Sequence, residues 1–218
     1  MEYYSQYKQD KFLHENIFKE YKNGVFIDAG AHDGISLNNT LFFEKNFNWT
    51  GINIEPIKSV YDKLLVNRPN SININCAAGL SDGNADFILN TGYTEMLSGL
   101  KKDYDSRHYN RTISEIHYNG GDTQVIKVEV KCLDTIFKEH NIKHINYLSI
   151  DVEGGEYSVI KGINFDTVFI DVIEFENNYP DTSAPIVEYL SYKGYVIIPE
   201  NTSIDIMMIH KDSKFYKE

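Results

Sequence analysis

The ten residues Val25–Gly34, VFIDAGAHDG, constrain the fold more than any other stretch of this chain. An apolar run ends in an acid, and a turn with glycines at Gly30 and Gly34 follows. A short apolar run closed by a glycine turn reads as a buried strand, and the polar residues after it lead toward a helix. Strand, tight turn and helix in that order open a Rossmann-like α/β domain. The next apolar run, Trp49–Glu55, also ends in an acid.

The remaining pattern extends this beginning. Ser5–Lys22 carries Phe12, Leu13, Ile17, Phe18 and Tyr21 at helical spacing, which predicts one or two helices ahead of the core. Helices are expected at Asn38–Asn46, capped by Asn38 or Asn39, and from Pro56 to about Asn67, with the proline in the first turn. Further helices are expected at Leu133–His140, Tyr157–Lys161 and Pro185–Lys193. Strands are expected at Ser71–Ala78, Ala85–Leu89, Val125–Val130, Ile145–Val152 and Val168–Phe175, and a final hairpin pairs Tyr195–Ile198 with Ile204–Ile209. Strands alternating with helices imply a mostly parallel central sheet with helices on both faces, closed by an antiparallel C-terminal hairpin. A length of 218 residues suits one domain with a full core, here 24–210. Residues 90–124, rich in Gly, Tyr, His and charge, follow no regular pattern and read as a loop that could lie over a substrate as a lid.

A net charge of −11 argues against nucleic acid or an anionic membrane as the main partner. The polar start MEYYSQYKQD is not a secretion signal and no apolar run is long enough to span a bilayer, so a cytoplasmic location is expected. Cys76 and Cys132 lie in apolar strand-like segments without metal-ligand spacing and read as small buried residues. The exposed alternation of Val125–Val130 could support a homodimer.

Ligands of open α/β sheets bind beyond the carboxyl ends of the strands. Those ends here are Asp28–Gly34, Glu55 with Pro56, Cys76–Gly79, Asp151–Glu156 and Glu174–Asn178, and four of the five begin with an acid. The first loop is neither GxGxxG nor GxxxxGK[ST], and no Lys or Arg lies near it in sequence. Asp28, Asp33 and Glu55 would repel a pyrophosphate. They suit a ligand with a positive centre and ribose hydroxyls, and S-adenosylmethionine has both. Glu55 would then accept from the ribose, as the second-strand acid does in dinucleotide folds.

The blocks VFIDAGAHDG, SLNNTLFFEKNFNWTGINIEP, INCAAGLSDG and LSIDVEGGEYSVIKG together resemble the FkbM family of S-adenosylmethionine-dependent methyltransferases. SQYKQDKFL and MLSGL resemble a subgroup of it, and the likeness runs from about Ser5 to Glu176. The resemblance implies a class I methyltransferase sheet and methyl transfer to oxygen, often on a sugar or another small hydroxylated metabolite. The chain departs from the family at Asn38, where a serine is common before Asn-Thr; an Asn can cap a helix equally well. The cofactor set that follows is Asp28, Gly30, Ala31, His32, Asp33, Gly34, Asn39, Thr40, Glu55, Pro56, Cys76, Ala77 and Asp151, with adenine against the Cys76–Ala78 strand end.

In this fold the Asp151–Glu156 corner faces the methyl group, so Asp151 and Glu153 are the candidate bases for a substrate hydroxyl, while Glu156 could serve only its helix N-terminus. Glu174 and Glu176, two apart on a strand, share a face and could join the fourth-strand acid around a magnesium ion. In the expected lid, Tyr93, His108, Tyr109 and His117, with Arg107 and Tyr118, could stack on or bond a sugar or nucleotide sugar. Two other readings stay open: an inactive methyltransferase-like scaffold, and a nicotinamide-dependent oxidoreductase, against which the missing third glycine counts.

Overall fold

A computed structural model describes residues 1–199 and 205–217. Two sheets carry the fold. In the larger, β1 (Val25–Ala29) lies between β2 (Thr50–Ile54) and β8 (His144–Ile150); β3 (Ile72–Ile74) flanks β2, and β9 (Phe169–Glu176) flanks β8, all parallel. β11 (Asp205–His210) runs antiparallel to β9, and β10 (Tyr195–Ile197) antiparallel to β11. The order β3-β2-β1-β8-β9-β11-β10 is that of a Rossmann-like class I methyltransferase sheet, mostly parallel with an antiparallel C-terminal pair. Ile204, expected to begin the last strand, lies outside the described residues.

Side-chain alternation sends successive residues of each strand to opposite faces. Phe26, Tyr147, Val172 and Met207 meet Leu13 and Phe18 of the N-terminal helical segment and Phe42, Phe43 and Phe47 of α2 (Leu41–Phe47). That N-terminal segment is α1 (Gln9–Phe12) running on into a π-helical turn, Leu13–Phe18. Ile27, Leu148 and Ile173 pack on the other face against Ile136, Ile160 and Leu190. These belong to α5 (Leu133–Glu139), α6 (Glu156–Lys161) and α7 (Pro180–Tyr192). Each fully buried side chain of this kind contributes roughly 1.5–3 kcal/mol.

The second sheet has the order β4 (Ala77–Gly79), β7 (Thr123–Cys132), β5 (Gly83–Asn90), β6 (Gly99–Leu100). The single strand expected at Ser71–Ala78 is divided: β3 stays in the main sheet, and β4 (Ala77–Gly79) joins β7 (Thr123–Cys132). Asn75 makes the break, donating its side-chain amide to the carbonyls of Glu55 and Pro56 at 2.8 and 3.1 Å. β7 is paired along 123–130 with β5 (Gly83–Asn90), which also holds β6 (Gly99–Leu100).

Residues 90–124 are regular, contrary to expectation. After a 3₁₀ turn at Gly92–Leu97 and β6, α4 (Ser106–Asn119) runs for 14 residues from an N-cap in which Asp105 accepts from the Arg107 amide at 2.7 Å. Its buried residues are His108 and Thr112, while Tyr109 and Ile113, apolar residues at helical spacing, are exposed, so the face it buries is not the one its apolar residues mark. Other boundaries also differ. α3 (Lys58–Asn67) starts two residues after Pro56, and α7 begins at Pro180, leaving Pro185 inside the helix. No helix among the described residues is long and apolar enough to cross a membrane.

Candidate active site

A cavity of about 400 Å³ opens beyond the carboxyl ends of β1, β2, β8 and β9. Among the described residues lining it, nine are Asp or Glu and Arg111 is the single Lys or Arg. Arg111 already donates Nε to Glu115 at 2.8 Å.

The loop after β1 forms one wall. Gly30 has φ +94°, and a Cβ there would lie 1.7 Å from the Asp151 carbonyl. The glycine therefore admits the backbone of the β8 corner, where the sequence suggested a ligand. The Asp151 amide closes the seam by donating to the Ala29 carbonyl at 2.9 Å. Glu55 accepts from the His32 amide at 3.2 Å and the Ile57 amide at 2.7 Å. Burial pushes its carboxyl up to about 7 against the pull of those amides. Asp28 is buried under Asn38 and Thr40, which donate to it at 2.9 and 2.8 Å. Burial raises its pKa, and Arg68 draws it part of the way back.

Arg68 went unrecognised in the sequence, where it stands in an apparent helix breaker far from the loop it serves. Fully buried, it donates to the Gly34 carbonyl at 3.2 Å, to Asn38 Oδ1 at 3.0 Å and to Thr40 Oγ1 at 3.2 Å, and it pairs with Glu44 at 2.7 Å. A cation does stand by the first loop, then, but behind it and away from the cavity.

The corner after β8 forms the opposite wall. Asp151, Glu153 and Glu176 each bring a carboxylate oxygen within 4.8 Å of the others. Protein surrounds Asp151, but its carboxylate is open to the cavity, whereas Glu153 is 8 % exposed. Burial raises the pKa of all three, and neighbouring acids add to the shift. Glu156 accepts from the amides of Val152 and Gly154 at 3.2 and 3.1 Å, so it builds the turn. Glu174, expected in a cation site with Glu176, bonds the Tyr147 hydroxyl instead and faces Asp205; Glu153 takes the place expected of it.

Of the sequence-predicted set, the structure brings Asp28, Gly30, Ala31, His32, Asn39, Glu55, Pro56, Ala77, Tyr93, Asp151 and Glu153 to the cavity wall. Asp33, Gly34, Thr40, Cys76, His108, Tyr109 and His117 lie behind or outside it. Asp33 ties its own loop, accepting from the Ile35 and Ser36 amides at 2.9 and 2.7 Å. Gly34 packs against Leu64 and Arg68, and Thr40 holds Asp28. Cys76 points into the core and remains a free thiol. Tyr109 and His117 are on the exposed side of α4. His108 is buried 3.4 Å from Glu153 Oε2, and burial lowers its pKa. His32 bonds Glu95 at 3.2 Å, tying the first loop to the 92–97 turn.

Sequence reasoning passed over Tyr7, Gln9, Glu95, Arg111, Glu115 and Asp205, all on the wall. Gln9 donates to Asp205, so the N-terminal segment is pinned over β11. The SQYKQDKFL block was the available signal for Gln9. Nothing in the sequence marks Asp205.

A family model described as the methyltransferase FkbM domain matches residues 28–197. Among solved structures, the fold is similar to that of an FkbM methyltransferase from Methylobacillus flagellatus KT, 14% identical. The alignment has a TM-score of 0.54 and covers 92% of this chain and 50% of that one, so this chain spans half the length of that structure. Two more distant likenesses are a fibrillarin from Aeropyrum pernix with natively bound S-adenosyl-L-methionine and a precorrin-6y C5,15-methyltransferase from Geobacter metallireducens GS-15. The fibrillarin is 10% identical over 94% of this chain and 74% of that one, with a TM-score of 0.49. The second is 11% identical over 92% and 87%, with a TM-score of 0.47. No curated protein sequence matches the chain.

Proposed function

The chain belongs to the FkbM family of methyltransferases, and from that premise we propose that it transfers the methyl group of S-adenosylmethionine to a hydroxyl oxygen of a small molecule, a sugar or glycan precursor. The observation that carries this reading is the acid-lined cavity at the carboxyl ends of the central strands. It suits a ligand that brings positive charge and hydrogen-bond donors, and it opposes one that brings phosphates. A buried acceptor on its wall, Asn39 Oδ1, makes no hydrogen bond among the described residues, whereas Glu174 is engaged by the Tyr147 hydroxyl and Asp205. An unmet buried acceptor is costly, and an ammonium would satisfy it. These acceptors and acids therefore fit the proposed cofactor.

When bound, S-adenosylmethionine supplies an electrophilic methyl group. Glu55 would hold the ribose hydroxyls, Asp28 would support the loop beneath them, and Asn39 would take the amino-acid end. Asp151, open to the cavity, would accept the proton of the acceptor hydroxyl, with Glu153 beside it. The same field of carboxylates favours an uncharged sugar over a nucleotide sugar as the acceptor.

Calorimetry with S-adenosylmethionine, its demethylated product S-adenosylhomocysteine, and NAD tests the reading. One equivalent of each of the first two should bind and NAD should not; failure of both adenosyl ligands to bind would overturn it. The pH dependence of that binding gives a second result. Ribose hydroxyls donate better to a carboxylate than to a carboxyl, and Glu55 ionises at about 7. Affinity for S-adenosylhomocysteine should therefore rise with pH, by up to about tenfold between roughly pH 6 and pH 8. The same raised pKa acts on the unliganded fold in the opposite sense. Its stabilising share is present below the ordinary glutamate value of 4.5 and is lost as pH rises through about 7. In Glu55→Gln both trends should flatten; an equally steep binding curve in that variant would remove Glu55 from the ribose site.

A further inference from the structure

We propose that Asp151, Glu153 and Glu176 hold a divalent cation, magnesium or manganese, at the acceptor side of the cavity. The three come from different places: the end of β8, the turn after it and the end of β9. They nonetheless bring one carboxylate oxygen each within 4.8 Å of one another. A cation central to three atoms so spaced lies within about 2.8 Å of each, and a small side-chain rotation closes that to the 2.0–2.6 Å of hard-cation sites.

A second observation points to a ligand independently. Glu153 is more than nine-tenths buried, and its Oε2 accepts no hydrogen bond among the described residues. The nearest ring nitrogen, His108 Nε2, is 3.4 Å away and is directed to the Leu97 carbonyl at 3.3 Å. Arg111, the guanidinium on the wall, is bonded to Glu115. No side chain among the described residues donates a hydrogen bond to this buried oxygen, and an unmet buried acceptor is costly. Glu156 is excluded as a ligand because its carboxylate serves backbone amides. An all-carboxylate donor set selects hard cations over zinc or copper, and three protein ligands leave coordination positions for water or a substrate oxygen.

A cation here would neutralise three crowded carboxylates. Its further role rests on the methyl-transfer reading: a hydroxyl that coordinates it becomes more acidic. The O–H bond breaks with its electron pair kept on oxygen, and the proton passes to the Asp151 oxygen not facing the cation.

The test uses the full chain freed of metal with a chelator, and Mn²⁺ alone as the probe, followed by calorimetry and electron paramagnetic resonance. One Mn²⁺ per chain should bind, compete with Mg²⁺ and raise the unfolding temperature. Glu176→Gln and Glu153→Gln should each weaken Mn²⁺ by at least about tenfold, since even outer-shell changes cost that much. Both variants should keep S-adenosylhomocysteine affinity within a few-fold, which also reports that they are folded. Absence of saturable Mn²⁺ binding to the wild-type chain, or unchanged Mn²⁺ binding in both variants, overturns the site. Titrating S-adenosylhomocysteine into the same wild-type sample separates the two ideas. Binding of the nucleoside without Mn²⁺ removes the cation site alone, and Mn²⁺ binding without the nucleoside removes the methyltransferase reading alone.

Discussion

Arg68→Ala is expected to lower the stability of the fold by about 3–5 kcal/mol, the usual cost of stripping one partner from a buried ion pair. Arg68 is fully buried, and its guanidinium answers Glu44, the Gly34 carbonyl, Asn38 and Thr40 at once. Alanine would leave Glu44, half-buried, with Ser71 as a donor but no cation, and would open a void beneath the Phe26 ring, 5.2 Å from the guanidinium carbon. Domains of this size are stable by only about 5–15 kcal/mol, so the loss is a large share of the total. It should also reach the proposed cofactor site, because Asn38 and Thr40 are the groups that hold Asp28. Lysine should rescue little, since one ammonium cannot reproduce a planar fork that bonds in several directions. Urea unfolding gives the stability term, and nucleoside titration below the unfolding midpoint gives the second. A change of less than about 0.5 kcal/mol would mean that water or a neighbour replaces the guanidinium, and the account of the loop would fail.

Asp151→Asn should reduce turnover by roughly 10²–10⁴-fold, the range that a positioned base contributes. The substitution keeps the shape of the side chain, and the Asp151 main chain, which forms the seam with Gly30, is untouched. Affinity for S-adenosylhomocysteine should accordingly stay within a few-fold. Residual activity should persist, because methyl transfer is an in-line displacement and alignment of the reactants can supply about 7–11 kcal/mol by itself. The measurement is turnover at saturating methyl donor on whichever acceptor a labelled-methyl screen identifies. Undiminished turnover would remove Asp151 from the role of base.

What the sequence made legible is what local chemistry writes locally. β1 occupies the residues its apolar run marks, Val25–Ala29, and the acids that close β2 and β8 do line one cavity. The illegible parts were fixed by distant contacts. α4 buries His108 beside Glu153 and Thr112 against Tyr104, so its inner face is polar, and the apolar residues Tyr109 and Ile113 that carry its period lie outside. Arg68 looked like the end of a helix because its partners lie between 24 and 34 residues away. The division of the third strand turns on one Asn75 side chain reaching back to the Glu55 and Pro56 carbonyls. Glu174 and Glu176 do share a strand face and a cavity, but Tyr147 claims the first, a pairing that only the register of β8 and β9 reveals.

The contact of Gly30 with the Asp151 carbonyl bears on how such a molecule can diversify. The loop expected beneath one reactant and the corner expected beside the other are joined main chain to main chain, with no side chain between them. Their separation is thus set by the main chain, with glycine required at position 30. Substitutions along the seam would disturb both partners together. Substitutions at the cavity-facing positions of the 92–97 turn and α4 leave that main-chain seam untouched and can reshape the entrance. New acceptors should therefore be acquired from the entrance inward, by changes at positions such as Tyr93, Arg111 and Glu115.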